Sequence, residues 1–174
     1  MRGGSPDSLE ARVSLTQEAR AALERAGRFL ARRAHSRHEL RDKLRRAGFG
    51  DDAVDAALER ADELGLVDDA EFAHAFVARR LSRSPLGCEA LVGELGRRGI
   101  DRSLAEEAVR RAAGDGDQET AAARAVAERA AERLHHLPAR EQRRRLWRRL
   151  AARGFSEEAC DRALSAVLPP EGWD

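Results

Sequence analysis

Leu64-Gly65-Leu66-Val67-Asp68-Asp69-Ala70-Glu71-Phe72-Ala73-His74-Ala75-Phe76-Val77-Ala78-Arg79-Arg80 closes one helix and opens another. Gly65 suits the left-handed position that ends a helix. Asp68 is placed to cap the next one, and Glu71 three residues later completes a capping box. Beyond the joint, Phe72, Ala73, Phe76, Val77 and Arg80 recur at three- and four-residue spacing, which gives the new helix one apolar face.

What precedes this joint returns after it. The motif Phe29-Leu30-Ala31-Arg32-Arg33 is echoed by Phe76-Val77-Ala78-Arg79-Arg80. Leu40 and Leu44 precede Gly48 by eight and four residues; Leu91 and Leu95 stand so before Gly99, and Leu146 and Leu150 before Gly154. An apolar residue follows each glycine: Phe49, Ile100 and Phe155. Six and ten residues past each glycine come Val54 and Leu58, Ala105 and Val109, Cys160 and Leu164. The period is about 51 to 55 residues, that of a tandem array of three units.

Each unit reads as three helices. In the first, a helix from about Thr16 to Arg33 carries Leu23, Ala26, Phe29 and Leu30. Ser36 and Glu39 form a capping box for the second helix. Asp51 or Asp52 is expected to cap the third, with Val54, Leu58, Ala61 and Leu64 on its apolar side. The expected division is a flexible tail 1–15, repeats 16–67, 68–115 and 116–168, and a tail 169–174. A unit of ~50 residues buries too little surface to stand alone, so neighbours are expected to share apolar contacts. The tight Gly65–Asp68 joint is expected to be fixed, and Gly114-Asp115-Gly116-Asp117 to flex. Pro138 opens a helix after a long one from about Gln118 to Leu134.

Composition fits an all-α chain. Aromatics are 4%, tyrosine is absent, and charged residues are 36% of the 174, nearly cancelling to +1. No run of eighteen apolar residues marks a membrane span, and the first residues lack a secretory apolar stretch. Cys88 and Cys160 lie far apart on expected helices and read as small core or half-buried residues of a reducing compartment. A single lysine, Lys43, stands against 31 arginines.

Signals for catalysis are weak. There is no phosphate-binding loop motif. His35 with His38, and His135 with His136, lack a third ligand nearby, and neither cysteine has a neighbouring histidine. The charge map says more. Pro138 to Arg153 holds seven arginines and one glutamate. Arg140, Arg144 and Arg148 form one stripe, Arg145 and Arg149 a second, and Leu146, Leu150 and Trp147 are expected on the buried side. A solvated face and a surface for phosphates or acidic groups are both consistent with it. Further basic groups surround Arg32 and Arg33, Arg79 and Arg80, and Arg97 and Arg98. Aromatics interleave poorly with them, against base stacking.

Three pieces in order, Ser36-x-x-Glu39-Leu40-x-x-Lys43-Leu44-x-x-x-Gly48, then Gly65-Leu66-Val67-Asp68-Asp69-x-x-Phe72-Ala73, then Glu94-Leu95-x-x-x-Gly99-Ile100, resemble the RecX family. The resemblance is strong over residues 23–109 and looser over the third unit. It implies an elongated, curved array of three-helix repeats. It also implies a non-enzymatic bacterial regulator without cofactor that lies in the groove of the RecA filament on DNA. There such a protein inhibits strand exchange, ATP hydrolysis and co-protease activity, and so modulates repair and the SOS response. A cytoplasmic monomer is expected, binding DNA alone, single- or double-stranded, more weakly than the filament. Candidate contacts are Arg32, Arg33, Arg79, Arg80, Arg97, Arg98, Arg140, Arg144, Arg145, Arg148 and Arg149. Where relatives often carry basic residues before the middle unit's second helix, this chain has Ser84, Pro85 and Glu89. Two other readings stay open: a direct DNA-binding protein using the third unit's arginine helix, and a scaffold for another protein.

Overall fold

In the computed structural model of the chain, residues 16–113 and 116–168 are described; the expected tails, and Gly114 and Asp115 of the expected hinge, lie outside them. The described residues form α-helices α1 Gln17–Leu30, α2 Arg37–Arg46, α3 Asp51–Glu63, α4 Asp69–Leu81, α5 Cys88–Gly96, α6 Arg102–Ala113, α7 Gly116–Ala131, α8 Ala139–Ala151 and α9 Glu157–Val167, with no strand among them. This is an all-α tandem array of three-helix repeats.

The repeated glycine carries the same turn three times. Gly48, Gly99 and Gly154 have φ of 92°, 75° and 73°. The next N–H, of Phe49, Ile100 or Phe155, then reaches back to the carbonyl of Leu44, Leu95 or Leu150 at 3.3, 3.2 and 3.4 Å. That bond, with a left-handed residue between, is the Schellman closure. It turns the following apolar residue back onto the helix just ended. Gly65 repeats the device, its φ of 65° letting Leu66 N–H reach Ala61 O at 2.9 Å.

Contacts divide the chain into two compact units at Phe72/Ala73. In the first, α1 packs along α3 and α2 closes the bundle. Its core is Ala22, Ala26, Leu40, Leu44, Val54, Ala57, Leu58, Ala61 and Val67. Leu64, just past the end of α3, is instead exposed. Ser36 caps α2 as expected, its Oγ accepting from Glu39 N–H at 3.1 Å. Asp51 and Asp52 do not cap α3. Gly50 holds that position without a side-chain cap, and its N–H goes to Glu18 Oε1 of α1 at 2.9 Å. Asp51 sits in the first turn of α3 and accepts from Arg45 Nε at 2.7 Å. The α4 cap is the expected one: Asp68 Oδ1 accepts from Ala70 and Glu71 N–H at 2.8 and 2.9 Å.

In the second unit α5 packs on α6, and α7 along α9 with α8 beside them. The third repeat's core gathers Ala123, Val126, Ala127, Leu146, Leu150, Phe155, Cys160 and Leu164. The second and third repeats meet backbone to backbone. Gly87 N–H donates to Arg153 O at 3.0 Å, and a Cβ on Gly87 would lie 2.0 Å from Gly154 O. Glu119 of α7 reaches both neighbours: Oε1 accepts from Cys88 N–H at 2.9 Å at the start of α5, and Oε2 from Ser156 Oγ at 2.7 Å at the start of α9. Asp69 of α4 makes the matching bond a repeat earlier, accepting from Arg37 N–H at 2.8 Å at the start of α2. The first helix of a repeat thus supplies a carboxylate to the positive end of the preceding repeat's second helix, where a negative charge is favoured.

Candidate nucleic-acid interface

Arginines separate by what holds them. Arg33 lies just past α1, exposed, and its Nη1 donates to Ala34 O at 2.8 Å and Glu39 Oε2 at 2.9 Å. Glu39 also bonds His35 Nδ1 at 2.9 Å, and His35 itself is only 4% exposed. Burial pushes the His35 imidazole below its ordinary pKa, against the opposing pull of the Glu39 hydrogen bond. Burial also pushes the Glu39 carboxyl up, but the His35 and Arg33 bonds outweigh it and hold that group low.

Arg80 and Arg98 are half-buried and hold the fold together. Arg80 Nε donates to Glu94 Oε2 at 3.2 Å, tying α4 to α5. Arg98 stacks its guanidinium 4.2 Å from the Phe76 ring centroid and donates to Glu94 O at 2.8 Å, an orphan carbonyl near the end of α5. Arg32, Arg79 and Arg97 are exposed and form no ion pair among the described residues. Each doublet therefore has one arginine free for a ligand: Arg32, Arg79 and Arg97.

On α8 the two expected stripes are interrupted. Glu141 accepts from Arg144 Nη2 and Arg145 Nε, both at 2.7 Å. These bonds, from Arg144 first and then Arg145, pull the Glu141 carboxyl down to about 2. Arg140, Arg148 and Arg149 are exposed without an ion pair among the described residues. Leu146 and Leu150 face the core as expected, but Trp147 is 37% exposed and Arg143 is half-buried in its stead. At 100° per residue, position 143 lies about 20° from 150, whereas 147 lies about 60° from 150 and about 100° from 146, further from the inward side.

Arg149 is not alone. With Arg153 after α8, Arg129 in the last turn of α7, Arg133 just past it, and Arg83 in the α4–α5 link, it lines a cleft of about 320 Å³. Sequence reasoning missed Arg129, Arg133 and Arg153. The available signal was the four-residue spacing within 129/133 and 149/153, hidden in the first pair by Glu128 and Glu132, each directly before one of its arginines.

Neither cysteine is set up as a nucleophile. Burial, reinforced by the Glu119 carboxylate, pushes the Cys88 thiol up to about 11, so it is protonated near neutral pH and a poor nucleophile. Cys160 is fully buried and its thiol is likewise raised. Among the described residues no group of three His, Cys, Asp or Glu side chains is placed to hold a metal ion, and no helix is long and apolar enough to cross a membrane.

Known proteins share both the sequence and the fold. Models of the first, second and third three-helix domains of RecX match residues 22–60, 68–109 and 117–164. A protein of Prosthecochloris aestuarii named regulatory protein RecX is 35% identical over 153 residues, covering 87% of this chain and 96% of the relative. One of the same name from Thermobifida fusca is 38% identical over 174 residues, covering 98% and 90%. The crystal structure of RecX from Lactobacillus salivarius superposes with a TM-score of 0.80 at 23% identity, over 86% of this chain and 96% of that one. With all three domains matched in order along one chain, it belongs to the RecX family of regulatory proteins.

Proposed function

We propose that this chain binds the RecA recombinase filament on DNA, in its groove, and restrains strand exchange, ATP hydrolysis and co-protease activity. It acts by occupancy rather than catalysis, as a cytoplasmic monomer. The observation that carries the reading is a distribution of charge. Exposed arginines without an ion pair (Arg32, Arg79, Arg97, Arg140, Arg148 and Arg149) recur in all three repeats of a RecX-family chain, while Arg41, Arg45, Arg60, Arg102 and Arg124 are matched to carboxylates. A repeat array offers its partner a long surface rather than a pocket. Guanidinium groups spaced along such a surface suit alternating phosphates and acidic side chains.

The arginine cleft of the second unit favours a second reading, direct binding to DNA without recombinase. Immobilised single-stranded DNA, bare or coated with recombinase and a non-hydrolysable nucleotide, separates the two at about 0.15 M salt. Affinity for the coated strand at least about tenfold above that for the bare strand, ~1.4 kcal/mol, is expected. Equal affinity would transfer the function to DNA binding.

A further inference from the structure

We infer that the cleft bounded by α7, α8 and the α4–α5 link is a phosphate site that seats the backbone of a single nucleic-acid strand. Its arginines, Arg83, Arg129, Arg133, Arg149 and Arg153, form no ion pair among the described residues, and no carboxylate is among the residues that line it. Five guanidinium groups lining one cleft repel one another, and more strongly beside apolar walls than in open water. A ligand carrying several negative charges relieves the repulsion. The space between the arginines is walled by small apolar groups, Pro85, Ala125, Val126 and Ala130. Low-dielectric walls concentrate the field of the surrounding cations.

The lining also decides the ligand class. The guanidinium fork matches phosphate oxygens in pairs. No aromatic side chain is among the lining residues, so bases are not stacked and the site reads backbone, independent of sequence. An aromatic or large aliphatic anchor finds no pocket among the short Ala, Val and Pro walls, so the site is suited to a polyanion. A volume of about 320 Å³ takes a few phosphodiester groups of one strand. The inference leans on the proposed function only for which polyanion is met; the phosphate chemistry stands on the cleft.

The test is anisotropy of a labelled oligothymidylate, without recombinase, over a salt series. The proteins are wild type, R129A/R133A/R149A, and a control of equal charge, R20A/R110A/R111A. The cleft triple should lose about tenfold or more in affinity, and its log–log salt slope should fall by about 2, at ~0.7 per phosphate released. The control should stay near wild type, and Arg129→Ala alone should give a smaller loss in the same direction. Circular dichroism checks that each variant is folded. A folded cleft triple that binds like the control overturns the inference. So does displacement of the oligonucleotide by acidic peptide but not by tripolyphosphate. If tripolyphosphate raises the melting temperature of wild type alone, yet both triples bind the oligonucleotide equally, the cleft holds small phosphates and the strand assignment is wrong. Recombinase ATP hydrolysis, measured with wild type alongside, reports separately on the proposed function.

Discussion

Adjacent arginines in this chain have opposite jobs. Arg98 is stacked on Phe76 and bonded to the end of α5, whereas Arg97 projects into solvent. Arg98→Ala should therefore cost about 1–2 kcal/mol in denaturant unfolding, from the lost cation–π contact and charged hydrogen bond. Arg97→Ala should stay within about 0.5 kcal/mol, as exposed substitutions do. Filament binding should rank them the other way. His35 makes a second prediction at this scale. Its folded pKa is lowered, so between that value and the ordinary ~6.5 the unfolded chain binds more protons, and stability rises with pH there. The contribution is complete above ~6.5 and is lost as pH falls through that window. The Glu39 carboxyl, also lowered, adds a loss in the same sense further down, below its unfolded value. Melting temperature should fall between about pH 7 and 5, and His35→Asn should flatten that slope even if it lowers stability throughout. An unchanged slope in the variant would remove His35 as the cause.

At the scale of elements, the Gly87–Gly154 approach holds the second and third repeats together. Gly87→Ala places a methyl group where Gly154 O lies 2.0 Å away, and backbone cannot yield as a flexible side chain does. A loss of about 3 kcal/mol or more is expected, in the range of severe core disruptions. Hydrogen exchange should show faster exchange at Gly87 and around α8 while α1 to α3 keep their protection. This junction was not legible in the sequence. It joins two segments more than sixty residues apart, and a glycine before a helix gives no sign of what comes near it. The same holds for Glu119, which looks like an ordinary first-turn acid yet bonds at the starts of two other helices, to Cys88 N–H and to the Ser156 hydroxyl. What could be read were features with a local cause. The glycine closures, the leucine stripes and the Ser36 and Asp68 caps are all set by neighbours within five residues. Glu141 was readable in principle, since Arg144 and Arg145 stand three and four residues on. Counting arginines alone hid that pairing.

At the scale of the whole molecule, arginines without ion pairs in all three repeats, together with family membership, support a regulator that works by binding. The central claim is restraint of the recombinase, and the most direct measurement is DNA-dependent ATP hydrolysis by the cognate RecA as this protein is titrated from far below to equal stoichiometry. The account predicts a falling rate, and it predicts that R79A/R97A/R148A, folded by circular dichroism, needs more protein for the same effect. A fall beginning at low ratios points to filament growth or integrity as the target; a fall only near equal ratios points to occupancy along the groove. A rate that stays constant at every ratio, with a protein shown to be folded, would contradict the account.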